Sequence, residues 1–192
     1  MLNRYSRMKD RYAIRLTGTN QRERFERAML PHLDAAYNLA RWLTGSVPDA
    51  EDVVQDACVR ALTFFDSFRG EDGRGWLLTI VRNTCYDWLR KNRRSTLVAV
   101  EPEELEAAPD ASPSPEAEQL RKADGRMLQA GLEALPVEYR EALVLRELEG
   151  MSYRQIAQVT GTPMGTVMSR LARGRKRLEK VLLATVMKGE LP

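Results

Sequence analysis

The hydrophobic residues of the chain recur mainly at spacings of three and four, and strict alternation of apolar and polar positions is nearly absent. These spacings place apolar side chains on one face of an α-helix, so the pattern predicts an all-α protein. The first predicted helix covers residues 22–44 and ends near Gly45, and Pro31 is expected to kink it or to split off its first turn. Its apolar face consists of Phe25, Met29, Leu33, Tyr37 and Ala40.

A second helix is predicted over residues 49–65, followed by a glycine-rich loop over residues 69–75. Its apolar face consists of Val53, Val54, Ala57, Ala61 and Phe64. The opposite face carries Asp52, Gln55, Asp56 and an exposed Val59. An acidic face with one exposed valine suits a basic protein partner and not DNA. A solvated helix surface has the same pattern, and helical spacing alone favours that simpler interpretation.

A third helix is predicted over residues 76–92. Its buried face consists of Trp76, Leu77, Ile80, Val81, Thr84 and Trp88. Its other face carries Thr79, Arg82, Asn83, Tyr86 and Arg90 and continues into Lys91, Arg93 and Arg94. An aromatic ring among cations suits unstacked single-stranded bases, because rings stack on bases while arginines hold the backbone. Tyr86 is equally well explained as a half-buried core residue, and both interpretations stay open at this point.

The clearest motif lies in the C-terminal third of the chain. Ser152 and, three residues later, Gln155 form a capping box that starts a helix. Gly161 can adopt the left-handed conformation that turns the chain, and Thr162 and Pro163 suit the N-cap and the first position of the next helix. Two short helices joined by a tight glycine turn form a helix-turn-helix.

The second helix of this motif, predicted over residues 163–178, has two distinct faces. The inward stripe consists of Val167, Leu171, Gly174 and Leu178. The opposite side carries Thr166, Ser169, Arg173 and Lys176, with Arg170 and Arg177 at its margin. Short polar side chains suit base edges in the major groove, and arginines suit guanine and phosphate. A solvated basic helix is the alternative, but the capping box, turn glycine and Thr-Pro start together favour DNA binding.

Charge divides the chain into two basic lobes and an acidic connector. Residues 1–95 carry 17 basic and 12 acidic groups, residues 96–123 carry 2 and 7, and residues 124–192 carry 11 and 8. The connector holds four prolines and almost no large apolar side chains, so it is expected to be extended and flexible. The predicted organisation is a basic arm over 1–22, a helical domain over 23–95, a flexible acidic proline-rich linker over 96–122, a second helical domain over 123–187 and a tail over 188–192.

The N-terminal arm has no apolar core of a secretory signal. We interpret it as a disordered basic arm or as residues translated from an early start, since Met8 is an alternative first residue. No apolar run approaches the roughly 18 residues that cross a bilayer, so no membrane insertion is expected. Cys58 and Cys85 lack metal-ligand spacing, and His32 is the only histidine, so no disulfide framework, metal site or cofactor is predicted.

These observations predict a reduced, cytoplasmic protein. The chain offers no nucleotide-binding loop and no Ser/His/Asp set, so no catalytic residue is assigned and the chain is not expected to be an enzyme.

Six short segments, in order, resemble the extracytoplasmic-function (ECF) group of sigma-70 family transcription factors. Residues 49–56 (DAEDVVQD) are similar to the polymerase-binding motif of that family. Residues 68–70 (FRG) and 76–90 (WLLTIVRNTCYDWLR) resemble its promoter-melting segment. Residues 135–146 (LPVEYREALVLR), 150–157 (GMSYRQIA) and 165–171 (GTVMSRL) resemble its minus-thirty-five-binding domain. The resemblance extends from about residue 25 to residue 185.

The resemblance implies a role for each segment. The acidic face would dock on the coiled coil of the β′ clamp of RNA polymerase, through Asp49, Glu51, Asp52, Gln55, Asp56 and Val59. The loop 69–75 would capture a base flipped from the minus-ten element, and the minus-ten residues would be Arg69, Arg74, Arg82, Asn83, Tyr86, Arg90, Arg93 and Arg94. The helix 163–178 would read minus-thirty-five DNA through Pro163, Thr166, Met168, Ser169, Arg170, Arg173, Arg175, Lys176 and Arg177.

The implied partners are the RNA polymerase core, touched at the β′ clamp and the β flap, promoter DNA, and an anti-sigma factor held between or around the two domains. The sequence departs from the family pattern twice. Gly73, Arg74 and Gly75 occupy a loop that usually carries bulkier residues, and Met168 stands where many relatives have a basic residue. A plain helix-turn-helix regulator that binds operators as a dimer is the alternative, but it gives the first lobe no role.

Overall fold

The computed structural model describes residues 19–70, 72–92 and 125–187, and every regular element in these ranges is helical. The predictions for residues 1–18, for the linker (96–122) and for the tail (188–192) lie outside the described ranges. The predicted arm, residues 1–22, is corrected at its end: residues 19–22 belong to the first helix, which begins at Thr19. No helix in the described part of the chain is long and apolar enough to cross a membrane.

The first lobe contains four α-helices: α1 (Thr19–Met29), α2 (Leu33–Thr44), α3 (Val47–Phe64) and α4 (Gly73–Asn92). Pro31 lies in a 3-10 turn, Leu30–His32, that separates α1 from α2, which confirms the predicted break. Helix α2 ends at Gly45, whose φ of 75° is left-handed as expected for a glycine C-cap. Ser46 then caps α3 by accepting a hydrogen bond from the backbone N–H of Asp49.

The end of α3 corrects the predicted core. Phe64 is 59% exposed, whereas its neighbour Phe65 is only 3% exposed. The α-helix ends at Phe64 and the chain tightens into a 3-10 turn, Phe65–Ser67, which rotates Phe65 inward. There Phe65 packs against the rings of Phe25, Phe68 and Trp76, with centroids 5.2, 5.7 and 6.4 Å away. This aromatic cluster anchors both ends of the loop that precedes α4.

Helix α4 begins three residues earlier than the sequence predicts, so the predicted loop 69–75 is shorter and Arg74 belongs to the first helical turn. Asp72 accepts a hydrogen bond from the backbone N–H of Gly75 at 2.8 Å, which satisfies one of the free donors at the helix start. A Cβ at Gly73 would lie 2.5 Å from the carbonyl oxygen of Ala28, so this position requires glycine. Gly73 therefore lets α4 start close against α1.

The second lobe contains α5 (125–133), α6 (Val137–Leu143), α7 (Tyr153–Thr160) and α8 (Met164–Met187). A π-helical segment, Val144–Leu148, extends α6. Both hydrogen bonds of the predicted capping box between Ser152 and Gln155 are present, and Gly161 ends α7 with a left-handed φ of 64°. The predicted helix-turn-helix is thus confirmed, and its second helix continues beyond residue 178 to Met187.

The turn glycine gives a stability prediction. We expect Gly161→Ala to lower the free energy of unfolding by about 1–2 kcal/mol, because an L side chain is strained in the left-handed region. Urea denaturation measures the effect. Gly165→Ala is the matched control, because Gly165 lies in α8 and an added Cβ there meets nothing within 4 Å. Alanine is the better helix former, so this variant is expected to be unchanged or more stable by up to about 1 kcal/mol. Equal losses in both variants would contradict the prediction.

The two lobes pack against each other. Their buried side chains form one continuous cluster, which extends from Phe25 in α1 to Leu171 in α8. Helix α4 packs on α7, and α2 packs on α6. In this arrangement α4 of the first lobe faces the second lobe, while α3 and the N-terminal half of α8 each keep one face in solvent.

Candidate nucleic-acid and polymerase interfaces

Helix α8 is held against the second lobe by the stripe that the sequence predicts. Val167 and Leu171 are each 1% exposed. Gly174 lets α6 approach closely, because a Cβ there would lie 3.3 Å from the Leu143 side chain and 3.4 Å from that of Tyr139. Burial of this stripe turns the opposite face of α8 outward, which confirms the predicted orientation.

The nine predicted minus-thirty-five residues lie on or beside this outward face. Six are exposed: Pro163, Met168, Arg173, Arg175, Lys176 and Arg177. The other three are partly exposed: Thr166, Ser169 and Arg170. The hydroxyl of Ser169 donates to the carbonyl of Thr166 at 2.9 Å, which turns it back onto the helix.

Two exposed arginines of this face, Arg175 and Arg177, are already engaged within the second lobe. Arg175 forms an ion pair with Glu147 at 2.7 Å, and hydrogen bonding to that carboxylate raises the pKa of its guanidinium. The guanidinium of Arg177 lies 5.2 Å from the centre of the Tyr139 ring. The basic face of α8 therefore combines arginines tied to the lobe with exposed cations at Arg173 and Lys176.

The predicted minus-ten residues are divided between solvent and the second lobe. Arg69, Asn83 and Arg90 are exposed, and Arg90 forms an ion pair with Asp87. Arg74 forms an ion pair with Glu149 at 2.5 Å and also donates to its carbonyl at 2.7 Å. Arg82 forms an ion pair with Glu141 at 2.7 Å. Arg93 and Arg94 lie outside the described residues.

Tyr86 is half-buried, but not in the core of its own lobe. The guanidinium carbon of Arg82 lies 4.3 Å from the centre of the Tyr86 ring. The Tyr86 hydroxyl donates a hydrogen bond to the Glu141 carboxylate at 3.2 Å. Burial and the neighbouring Glu141 carboxylate raise the pKa of the phenol, so Tyr86 keeps its proton and acts as a donor. The sequence offered core packing or base stacking, and the structure shows a contact with the second lobe.

Glu141 and Glu149 are the residues that the sequence-based site prediction missed. The Glu141 side chain is fully buried, and desolvation raises the pKa of its carboxyl group while Arg82 opposes that shift. A second cation, Arg170, lies 3.9 Å from the same carboxylate. The sequence contains one signal for Glu141. This residue lies four residues after Val137 and four before Leu145, so helical spacing places its carboxylate within an apolar stripe.

The residues predicted to bind polymerase lie on α3, and each side chain is at least partly exposed. Asp52 and Asp56 are exposed, and Asp49, Glu51 and Gln55 are partly exposed. Val59 is half-buried and not exposed as predicted, because it lies beside the buried Cys58 and Leu62 where α3 packs on the lobe. The face therefore offers two carboxylates one helical turn apart.

Comparisons with known proteins agree with this architecture. The profile of the Sigma-70 region 2 family matches residues 29–95, and that of the Sigma-70, region 4 family matches residues 125–178. The ECF RNA polymerase sigma-E factor of Escherichia coli K12 is 36% identical over 138 residues, which cover 68% of this chain and 72% of that protein. The chain belongs to the ECF group of RNA polymerase sigma factors.

Other relatives of this ECF sigma factor fall in the same group. The ECF RNA polymerase sigma factor SigE of Mycolicibacterium smegmatis is 37% identical over 79% of this chain, and the match spans 58% of the length of that relative. Among solved structures, RpoE of Bartonella quintana, determined with the anti-sigma factor NepR, has a TM-score of 0.65 at 30% identity and covers 82% of this chain and 96% of its own. CnrH with the cytosolic domain of CnrY has a TM-score of 0.62 at 26% identity, over 92% of this chain and 96% of its own.

Proposed function

We propose that this protein binds the RNA polymerase core and directs promoter-specific initiation of transcription. The observation that carries the proposal is the helix-turn-helix, whose α8 buries one stripe and presents cations on the opposite face. Cations and short polar side chains at that position suit the phosphates and base edges of a major groove. The family to which the chain belongs supports the same assignment.

The proposal divides the work between the two lobes. Residues 23–95 would act as the region 2 domain, with the α3 face on the β′ clamp and α4 along the minus-ten strand. Residues 96–122 would be the tether, and residues 123–187 the region 4 domain, with α8 on minus-thirty-five DNA and a contact to the β flap. The catalytic chemistry would belong to the polymerase and not to this chain, and the place of action would be the bacterial cytoplasm.

An anti-sigma factor is the second class of partner that we propose. One structural relative, RpoE of Bartonella quintana, was determined with the anti-sigma factor NepR, and CnrH was determined with the cytosolic domain of CnrY. Co-purification of the tagged protein from its native cell, followed by mass spectrometry, tests this part of the proposal. Recovery of the polymerase core alone would count against it.

Transcription with purified core polymerase tests the main proposal. Core enzyme plus this protein is expected to start transcripts from a defined subset of a genomic promoter library, while core enzyme alone gives none of them. The free protein is expected to bind duplex promoters weakly. Tight, dimeric binding to duplex DNA without polymerase, together with the absence of any specific transcript, would favour a plain helix-turn-helix regulator.

Met168 provides a prediction about minus-thirty-five binding. It is 51% exposed on the outward face of α8, where a lysine could reach a phosphate. Met168→Lys is expected to steepen the slope of log affinity against log salt by about 0.9, the value for one added phosphate contact. Fluorescence anisotropy with a minus-thirty-five duplex measures it. Val186→Lys is the control, because Val186 is 47% exposed at the far end of the same helix. The same change in slope in both variants would show a nonspecific effect of charge.

A further inference from the structure

The described residues show six polar contacts between the lobes, and five of them involve Glu141 or Glu149 of the second lobe. One of these five is donated by Arg74 to the backbone carbonyl of Glu149 at 2.7 Å. Glu141 accepts hydrogen bonds from Arg82 at 2.7 Å and from Tyr86 at 3.2 Å. Glu149 accepts from Arg74 at 2.5 Å and from Asn38 at 3.3 Å. In the opposite direction, the guanidinium of Arg140 donates to the backbone carbonyl of Trp42 at 3.0 Å. The first lobe thus supplies the main partners of both carboxylates.

Burial makes these partners necessary. The Glu141 side chain is 0% exposed and that of Glu149 is 5% exposed. A carboxylate removed from water is costly unless charged donors compensate it. Within the second lobe the nearest cation to Glu141 is Arg170, at 3.9 Å, which is too long for a strong hydrogen bond. Closure of the lobes therefore satisfies the two carboxylates, and their separation would return both to water.

The first-lobe partners are also residues that the proposed function places on the minus-ten strand. Arg74, Arg82 and Tyr86 all lie on α4, and each directs a donor into the second lobe. Carboxylates and phosphates use the same guanidinium donors, so one group excludes the other. The ring of Tyr86, covered by Arg82 on one face, is not free to stack fully on a base. The closed arrangement and strand binding by α4 are mutually exclusive.

We propose that Glu141 and Glu149 form an intramolecular latch that closes the two lobes and occupies the strand-binding side of α4. The latch rests on the proposed function, since its competitor is single-stranded promoter DNA. Buried ion pairs are close to energetic balance because desolvation offsets their attraction, so such a latch opens without large cost. Its role is to keep the free protein from holding single strands until the lobes separate.

Paired Glu→Gln substitutions test closure directly. Glu141→Gln with Glu149→Gln removes both charges while it preserves shape, and small-angle scattering of the full chain should show a larger radius of gyration than the wild type. Glu133→Gln is the control, because Glu133 makes its side-chain hydrogen bond to Gln129 within α5 at 3.0 Å. An unchanged radius in the double variant, with helix content intact by circular dichroism, would overturn the latch.

Glu149→Gln alone covers the case in which loss of the Glu141 charge unfolds the second lobe. The structure shows two side-chain partners for Glu149, namely Arg74 and Asn38, and both lie in the first lobe. The radius of gyration of the Glu149→Gln variant should lie between those of the wild type and the open double variant. A radius equal to that of the wild type would again contradict the proposal.

Binding of a fluorescent single-stranded oligonucleotide tests the competition. If about one-tenth of the wild type is open, opening the latch should tighten binding about tenfold, because apparent affinity scales with the competent fraction. A larger radius with unchanged strand affinity would show that closure does not regulate α4. Failure of the proposed function is distinguishable, because it would remove transcripts with core polymerase in every variant while leaving the scattering difference in place.

Discussion

The Asp56→Arg variant is expected to fold normally and to lose polymerase binding and specific transcription by more than about a hundredfold. Asp56 and Asp52 are exposed on α3, one helical turn apart, while the core side of the same helix is formed by buried Val53 and Ala57. A charge reversal on the solvent side leaves that core untouched. Against a basic partner it replaces an attraction with a like-charge contact, which costs several kcal/mol.

Fluorescence anisotropy of the labelled protein titrated with core polymerase measures the loss, and circular dichroism checks the fold. Asp66→Arg is the matched control, because Asp66 is exposed in the turn just after α3 and its side chain contacts Gln21. An exposed polar contact of this kind contributes little to stability. Normal core binding by Asp56→Arg, or equal losses in the two variants, would remove α3 from the polymerase interface.

Most of the helices and several of their ends were predictable because local rules decide them. The break at Pro31, the stop at Gly45 and the capping box at Ser152 all follow from the backbone chemistry of single residues, and all three are observed. The inward stripe of α8 follows from helical periodicity alone. These features place the outward basic face without any knowledge of the tertiary structure.

The errors arise where tertiary packing overrides the local pattern. Helical periodicity predicts that the apolar stripe of α3 continues to Phe64. In the structure, the 3-10 turn after α3 buries Phe65 instead, and its ring packs in the aromatic cluster. The glycine-rich segment suggests a loop, but Gly73 lies close against α1 and, with Gly75, belongs to the first turn of α4. In both cases the deciding partner lies on another helix, which periodicity does not identify.

The cross-lobe contacts were the least predictable part of the site. Periodicity shows that Arg82 and Tyr86 share the polar face of α4, but it does not show what covers that face. The carboxylate that they meet, Glu141, is 59 residues from Arg82 along the chain and across the predicted linker. A buried carboxylate in an apolar stripe signals that a distant cation is needed, without naming it.

In the closed arrangement, some of the proposed binding surfaces are exposed to solvent and others are occupied by the second lobe. The acidic face of α3 and the cations Arg173 and Lys176 on α8 remain exposed while the lobes are packed. The donors of Arg74 and Arg82 on α4 are occupied. Under the proposed function, polymerase docking through α3 therefore needs no prior opening, whereas strand capture by α4 does.

Tyr86 separates the two roles of α4 in a single pair of substitutions. Tyr86→Ala removes the ring and is expected to weaken binding of a minus-ten single strand by about 1–3 kcal/mol, the range for one stacked base. Tyr86→Phe keeps the ring but removes the hydroxyl that donates to Glu141 at 3.2 Å. It should therefore keep stacking, loosen the latch and bind the strand at least as tightly as the wild type.

Anisotropy with the free protein and opening of a promoter by the complete polymerase provide the two measurements. With polymerase bound, the latch no longer competes, so Tyr86→Phe should match the wild type and Tyr86→Ala should still be impaired. If Tyr86→Phe loses as much as Tyr86→Ala in both assays, the hydroxyl itself contacts DNA and the latch has no part in strand binding. If neither variant changes either measurement, Tyr86 serves only the packing between the lobes, and the strand lies elsewhere on α4.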